Sequence, residues 1–304
     1  MKCYSCGGSA VIYRKYEGRA WCKKHFSRQM ESKVKMTIRK NSLISRNEKV
    51  CVALSGGKDS SLSLYLIDKF FGKRNDIEIF ALTVDEGITG YRDESIEMAK
   101  SLCKKLGVEH HIFTFKEEFG KTMDQILRDG DAKACTYCGI FRRLVLNKKS
   151  RELGATKVVT GHNMDDEIQS VFINNLRGDI NRLIRLGPKT SSAKKEGFVT
   201  RIKPLREIPE RETALYDMLN GIEYHNSVCP NSHDSLRADV KKFLNEMEEK
   251  YPGTKHNVLR HFDTILPALV DGFSNKTGVG KCKICGEPTS REICKSCELM
   301  KELG

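Results

Sequence analysis

Between residues 49 and 176 the spacing of apolar positions switches repeatedly between two periods. Residues 50–54, 77–84, 108–115 and 157–160 are short runs rich in β-branched and apolar side chains, and each predicts a buried strand. Residues 59–71, 91–106, 138–153 and 165–176 space their apolar positions three and four apart, and predict helices. Strands alternating with helices of ten or more residues predict a parallel sheet in a doubly wound α/β fold. Ligands on such sheets sit beyond the carboxyl ends of the strands, where the strand order reverses. Around this block, residues 31–48 predict a basic linker helix ending near Asn47, and 177–198 a mobile Gly-, Arg- and Lys-rich loop. Residues 210–221, 236–250 and 255–266 predict three further helices, punctuated by Pro204, Pro209, Pro252 and Pro267.

The first strand ends in a turn of unusual composition. Ala53 and Leu54 lead into Ser55-Gly56-Gly57-Lys58-Asp59-Ser60, which opens the next helix. Free backbone N–H groups, a helix dipole and a lysine together favour an anion there. The spacing is not that of a Walker A loop, which needs four residues between its first glycine and Gly-Lys. The alternative is an ordinary glycine turn. A second loop, Gly161-His162-Asn163-Met164-Asp165-Asp166, follows the fourth strand at the same edge of the sheet. Its paired aspartates can cap the helix, hold Mg2+ between phosphates or position an attacking group, and Gly161 lets backbone approach a nucleotide.

Twelve cysteines and a formal charge of +13 in 304 residues change the picture. No apolar run approaches ~20 residues and no secretory signal region opens the chain, so a cytoplasmic protein without a membrane span is expected. In a reducing compartment the cysteines point to metal or redox chemistry rather than a disulfide framework. Cys3, Cys6, Cys22 and His25 have the spacing of a zinc ribbon within residues 1–30, and Cys282, Cys285, Cys294 and Cys297 form a second set within 279–304. Two Zn2+ ions are therefore expected, the metal supplying the stability that such small segments lack. Cys51 and Cys103 fall inside apolar patterns and are expected in the core.

Cys135, Cys138 and Cys229 resist the zinc reading, since they have no evident fourth ligand. Three readings stand: an iron–sulfur cluster with one open iron, a persulfide-forming redox pair, or reduced cysteines without metal. Lys and Arg cluster at 33–49, 141–151 and 177–203, and the charge stays near +9 with the metal sites filled, which favours a polyanion partner. Arg142 and Arg143, one turn beyond Cys138, suit either an α-phosphate or RNA phosphates.

Ser-Gly-Gly-Lys-Asp-Ser resembles the pyrophosphate loop of N-type ATP pyrophosphatases. The order of ribbon, loop, Cys135-Thr-Tyr-Cys138-Gly, Gly-His-Asn-Met-Asp-Asp, late single cysteine and four-cysteine ribbon resembles the TtcA/TtuA superfamily of tRNA 2-thiolation enzymes over nearly the whole chain. Cys135-Thr-Tyr-Cys138-Gly-Ile-Phe-Arg142-Arg143 and Leu176-Arg177-Gly178-Asp179 look like its cytosolic wobble-uridine branch, NcsA-like in archaea. T-loop uridine enzymes of the TtuA type tend to carry a lysine where Arg142 stands.

The resemblance implies a PP-loop ATP pyrophosphatase domain over 49–205, of the adenine nucleotide alpha hydrolase-like type, and a helical region over 206–278 that contributes Cys229. It implies an ATP-dependent tRNA-uridine 2-sulfurtransferase that adenylates the uridine C2 oxygen and then delivers sulfur. By analogy Ala53, Leu54, Ser55 and Asp59 contact ATP, Val84 lies near the adenine, and Arg142 and Gly161 lie near AMP. Asp59, Asp165 and Arg142 are catalytic candidates, and Cys135, Cys138 and Cys229 are implied ligands of a 4Fe–4S cluster. The implied partners are tRNA, a second copy of the chain, and a sulfur donor that is inorganic sulfide, a persulfide carrier or a ubiquitin-like thiocarboxylate. Competing classes are a zinc-rich RNA-binding module without catalysis and an ATP-dependent amidating enzyme of the same fold.

Overall fold

A computed structural model describes residues 1–128, 134–190, 197–231, 236–273 and 279–303. Its first hairpin pairs β1 (Ile12–Arg14) with β2 (Arg19–Trp21), followed by helix α1 (Lys23–Lys40). Then come β3 (Glu48–Ala53), α2 (Lys58–Phe71), β4 (Ile77–Asp85), α3 (Arg92–Leu106) and β5 (Glu109–Thr114). Short helices α4 (Phe115–Phe119) and α5 (Met123–Arg128) precede α6 (Ala134–Glu152), β6 (Lys157–Val159), α7 (Met164–Leu176), α8 (Ile180–Leu183) and β7 (Thr200–Ile202). Helices α9 (Glu210–Asn220), α10 (Leu236–Lys250) and α11 (Thr254–Phe273) lead to a hairpin of β8 (Gly280–Lys281) and β9 (Pro288–Thr289) and to α12 (Lys295–Glu302).

The central sheet is wholly parallel, in the order β5-β4-β3-β6-β7. The order reverses between β3 and β6, so the crevice of a doubly wound sheet opens beyond those two strands. Alternation along the strands sorts side chains onto two faces. Val50 and Val52 of β3 and Ala81 of β4 enter one core with Leu62, Leu102 and Tyr216; Cys51, Phe80 and Leu82 enter the other with Phe141, Val145 and Leu299. Cys51 and Cys103 are buried, and burial pushes both thiols up, as expected of core cysteines. The terminal hairpins lie on opposite faces: Cys3, Trp21 and Phe26 belong to the first core, and Leu299 of α12 to the second.

Beyond the short helices α4 and α5, which the sequence did not announce, four elements differ from the sequence expectation. The basic stretch after residue 30 is the continuation of α1, which starts beside the first metal set and ends at Lys40. Phe26, Met30, Val34 and Ile38 make one buried stripe four residues apart across that expected boundary. Within the expected loop at 177–198, residues 180–183 form α8, and 191–196 lie outside the described residues. The fifth strand, β7, has only three residues, too few to register as a pattern. Helix α11 runs through Pro267 to Phe273 rather than stopping before it.

Helices α10 and α11 pack on α7 through Ile168, Val240, Leu244 and Leu259. Charge pairs tie α7, α11 and the segment after β7 together. Lys203 pairs with Glu167 at 2.5 Å, Arg206 pairs with Asp263 at 2.7 Å, and Lys255 pairs with Asp165.

Candidate active site

The Ser-Gly-Gly turn stands where β3 meets α2, and its shape is held from three sides. Gly56 has φ +83°, and a Cβ there would lie 1.9 Å from the Ser95 carbonyl oxygen, so only glycine fits. Gly57 caps α2 with extended backbone, leaving the first-turn N–H groups open. Ser60 Oγ accepts from the Ser55 N–H at 3.1 Å and donates to the Gly57 carbonyl at 2.9 Å. Buried Arg92 clamps the strand ends, donating to the Ser55 carbonyl at 3.1 Å and the Val84 carbonyl at 2.8 Å, and pairing with buried Glu86 at 2.7 Å. Gly161 lies so close to the loop that a Cβ would sit 2.8 Å from the Asp59 carbonyl carbon and the Ser60 nitrogen.

These parts line a cleft of about 690 Å³. Ala53, Leu54, Ser55, Gly57, Lys58, Asp59 and Ser60 form its floor, and Val84, Arg142 and Gly161 line it too. Gly56 sets the turn without lining the cleft. The segment 225–228 closes one side, with the His225 N–H donating to the Gly56 carbonyl at 2.8 Å.

The charges of the loop are mutually engaged. Asp59 accepts from Thr213 Oγ1 at 2.7 Å and from Lys58 Nζ at 2.8 Å. Lys58 also reaches Glu210 at 3.0 Å, and Glu210 binds Lys241 at 2.8 Å. Burial opposes the Lys58 charge, but Asp59 and Glu210 outweigh it and hold the ammonium above its ordinary range. A phosphate entering the turn meets a lysine already charged.

Of the paired aspartates, the structure brings Asp166 rather than Asp165 to the cleft. Asp165 is turned away and satisfied: its Oδ2 accepts from the Glu210 N–H at 2.7 Å and its Oδ1 meets Lys255. Adjacent residues of a helix point about 100° apart, so one of the pair had to leave the site. Asp166 forms a capping box with Asn163, and burial, then the charge of Asp59, raises its carboxyl to about 6. His162 donates to or accepts from Thr160 Oγ1 at 2.8 Å, and burial lowers it to about 3, so it is neutral.

Cys135 and Cys138 lie at the N-terminal end of α6, three residues apart and therefore on one face of the helix. Cys229 arrives from the segment between α9 and α10. The Cys135 thiol faces the Asn231 carbonyl at 3.7 Å, and Cys138 and Cys229 pack against one core. Burial pushes the Cys138 thiol up to about 11, with the charges of Cys229 and Cys135 adding to it. The fold thus brings Cys229 into the neighbourhood of Cys138, although 91 residues separate them, and the cleft-lining residues Arg142 and Val228 flank the group. Among the described residues, only the two terminal sets bring their ligand atoms within 4.8 Å of one another. The middle trio is spaced too widely for one ion and suits a larger group.

Residues 25–247 match the PP-loop domain family, and residues 2–27 match the N-terminal LIM domain of the 2-thiouridine synthetase TtuA. The tRNA 2-thiolation protein NcsA of Haloferax volcanii is 33% identical over 318 residues, spanning 100% of this chain and 99% of the relative. The chain belongs to the PP-loop family of tRNA 2-thiolation proteins. Within that family, the tRNA-5-methyluridine(54) 2-sulfurtransferase of Pyrococcus horikoshii is 35% identical, with 100% of this chain and 96% of the relative covered. Among solved structures, the U34-tRNA thiolase NcsA from Methanococcus maripaludis with its [4Fe-4S] cluster superposes with a TM-score of 0.87 at 36% identity. That match covers 100% of this chain and 97% of the other.

The two terminal cysteine sets of this chain have the donor geometry of metal sites. His25 Nδ1 stands 3.4 Å from both Cys3 and Cys22 Sγ, and Cys285 and Cys294 Sγ are 3.6 Å apart. Although burial opposes it, backbone N–H groups aimed at the sulfur bring Cys3 and Cys282 each down to about 6. Sequence reasoning missed Glu86, Arg92, Thr213, Glu210 and Arg201, because nothing in the local sequence marks them as lining or bracing the cleft. It read Arg143 beside Arg142 without separating them. Among the described residues no helix is long and apolar enough to cross a membrane.

Proposed function

We propose that this protein is a cytoplasmic ATP-dependent sulfurtransferase that replaces the C2 oxygen of the wobble uridine of tRNA by sulfur. The observation that supports the reading is that Cys138 lies within electrostatic reach of Cys135, Cys229 and the cleft-lining Arg142, with Val228, next to Cys229, also lining the Ser-Gly-Gly cleft. Oxygen activation and sulfur delivery need adjoining sites, and this chain supplies both.

The C2 oxygen of uridine is a poor leaving group. It attacks the α-phosphorus of ATP, the bond from that phosphorus to the β-bridging oxygen breaks, and pyrophosphate leaves. The N–H groups opening α2, with Ser55, Ser60 and charged Lys58, hold the departing phosphates. Gly161 lets the backbone come close to the AMP portion, and Val84 borders the base. Arg142, held by Glu86 at 3.3 Å, keeps its charge near the α-phosphate. Asp59, fixed by Thr213 and Lys58, and Asp166, facing it, are the carboxylates suited to Mg2+; Asp165 anchors the helical region through Lys255. Sulfur then attacks C2, the C–O bond breaks, and AMP leaves.

Three cysteines, one exposed and two half-buried, with no fourth ligand grouped with them among the described residues, fit a 4Fe–4S cluster. When bound, such a cluster supplies an iron with an open position for the sulfur to be transferred. The residues' part is to hold it at the cleft, where Arg142 and Glu86 lie within electrostatic reach of Cys138. Cys3, Cys6, Cys22 and His25, and the four late cysteines, suit structural Zn2+.

A second reading, 2-thiolation of the T-loop uridine, has support in the Pyrococcus horikoshii relative. Arg142 in place of the lysine that such enzymes tend to carry, and the overlay on the U34-tRNA thiolase, favour the wobble position.

Anaerobic reconstitution tests the mechanism. The protein is expected to bind about four irons per chain at the middle site, and Cys229→Ala to lose both the iron and tRNA thiolation. Full thiolation by iron-free protein rejects the cluster in favour of a persulfide on one of these cysteines.

A further inference from the structure

The two adjacent arginines of α6 have different surroundings. Arg142 is tied to Glu86 and lines the cleft. Arg143 has no carboxylate partner among the described residues. Its guanidinium folds back over Gly139, where an added Cβ would stand 3.3 Å from Nη1. A methyl group at 139 would make the guanidinium yield by a few tenths of an ångström, so Arg143 packs closely on the residue after Cys138.

Arg201, on the edge strand β7, lines the same cleft and also has no acidic partner among the described residues. Arg182 of α8 adds its charge, its own partner being Asp179 at 3.1 Å. Burial, then the like charges of Arg201, Arg142 and Arg182, lowers Arg143 to about 10. Bringing like-charged guanidinium groups together without a counter-charge is costly, even where part of a side chain stays exposed, as at Arg143. The cost is recovered when an anion lies between them, and two planar guanidinium forks are well matched to a phosphate.

We infer that Arg143 and Arg201 form a binding site for a backbone phosphate of the RNA substrate beside the target uridine. The inference rests on the thiolation reading above and adds to it the residues that seat the substrate. A phosphate oxyanion is the shared chemistry, and ATP also carries phosphates. The RNA source is favoured by position. The ATP phosphates have their own cradle at Ser55–Ser60, whereas Arg143 stands at the Cys138 end of α6, where the uridine must arrive to receive sulfur. A uridine cannot enter without its flanking phosphates. Arg142 then serves the nucleotide and Arg143 the RNA, although they are neighbours in sequence.

The test is a tRNA titration by fluorescence anisotropy at several salt concentrations, with ATP binding measured by calorimetry on the same samples. Wild type, Arg143→Ala, Arg201→Ala, the double variant and Arg143→Lys are compared, each checked for folding by circular dichroism. Each alanine is expected to weaken tRNA roughly fivefold to tenfold and to reduce the log–log salt slope by about one. ATP affinity is expected to change less than about twofold, and Arg143→Lys to restore most of the tRNA affinity. Unchanged tRNA affinity and slope in the folded double variant overturn the inference. Lost ATP binding with tRNA binding intact also overturns it, by assigning the site to the nucleotide. Should Arg201→Ala disturb the edge strand, Arg143→Gln, on an exposed helical position, decides the matter alone. Wild-type protein that binds no tRNA removes both this inference and the function reading. Wild-type protein that binds tRNA but forms no thiouridine removes the function reading only, and the arginine titration still stands.

Discussion

Asp217 of α9 is fully buried, and neither carboxylate oxygen has a hydrogen-bond partner. Burial, then the charge of Asp59, raises its carboxyl to about 8. In an unfolded chain such a group titrates near ~3.9. Between those two values the folded protein holds the extra proton, so stability falls as pH rises from about 4 to about 8. Asp217→Asn keeps the shape without the charge. Its melting temperature is expected to exceed wild type by about 5 °C at pH 8.5, on the order of 2 kcal/mol, and by much less at pH 5. An equal shift at both pH values contradicts the titration. Gly161→Ala probes the close approach to the loop. Calorimetry should show ATP affinity lowered by about tenfold or more with the fold retained, and wild-type affinity would mean that the loop yields to a methyl group. At this scale the loop glycines and the convergence of the two terminal cysteine sets were legible, because few residue types meet those demands. The choice of Asp166 over Asp165 was not. It depends on Lys255, ninety residues away, and on the Glu210 N–H capturing one of two identical side chains.

Helix α6 carries both Cys135 and Cys138, and the C-terminal ribbon braces it. Leu299 of α12 is buried with Phe141 and Val145, Tyr137 donates to Glu302 at 3.4 Å, and Arg151 pairs with Glu287. A double substitution of Cys282→Ser and Cys285→Ser should lower zinc from about two to about one per chain. It should also reduce iron retained at the middle site severalfold, because the first turn of α6 loses its support. Metal analysis after anaerobic reconstitution checks both, and undiminished iron would make the ribbon an independent appendage. Elements long enough to show a period were legible in the sequence. β7, with three residues, and α8, with four, were too short to do so. The boundary drawn before α1's basic half failed for another reason. Charge on the exposed side of the helix hid an apolar stripe that continues from the ribbon.

Across the molecule, one parallel sheet carries the Ser-Gly-Gly loop beyond its β3 strand, with a terminal segment packed on each of its two faces. The parallel sheet and the edge that holds the loop followed from alternation alone. The arrival of Cys229 beside α6 did not, since nothing local to residue 229 encodes its neighbours. The whole arrangement makes adenylation dependent on the loop. Asp59→Ala should abolish tRNA-dependent pyrophosphate release while tRNA affinity stays within about twofold of wild type, because the phosphate contacts assigned to RNA lie at Arg143 and Arg201. Lost tRNA affinity would mean that the loop holds the RNA instead. The most direct test is mass spectrometry of nucleosides from tRNA of a strain lacking this protein, with the modified position located by fragment mapping. The account predicts that 2-thiouridine disappears from the anticodon wobble position while T-loop thiolation persists. Wobble thiouridine at its ordinary level, with or without loss at the T-loop, would contradict it.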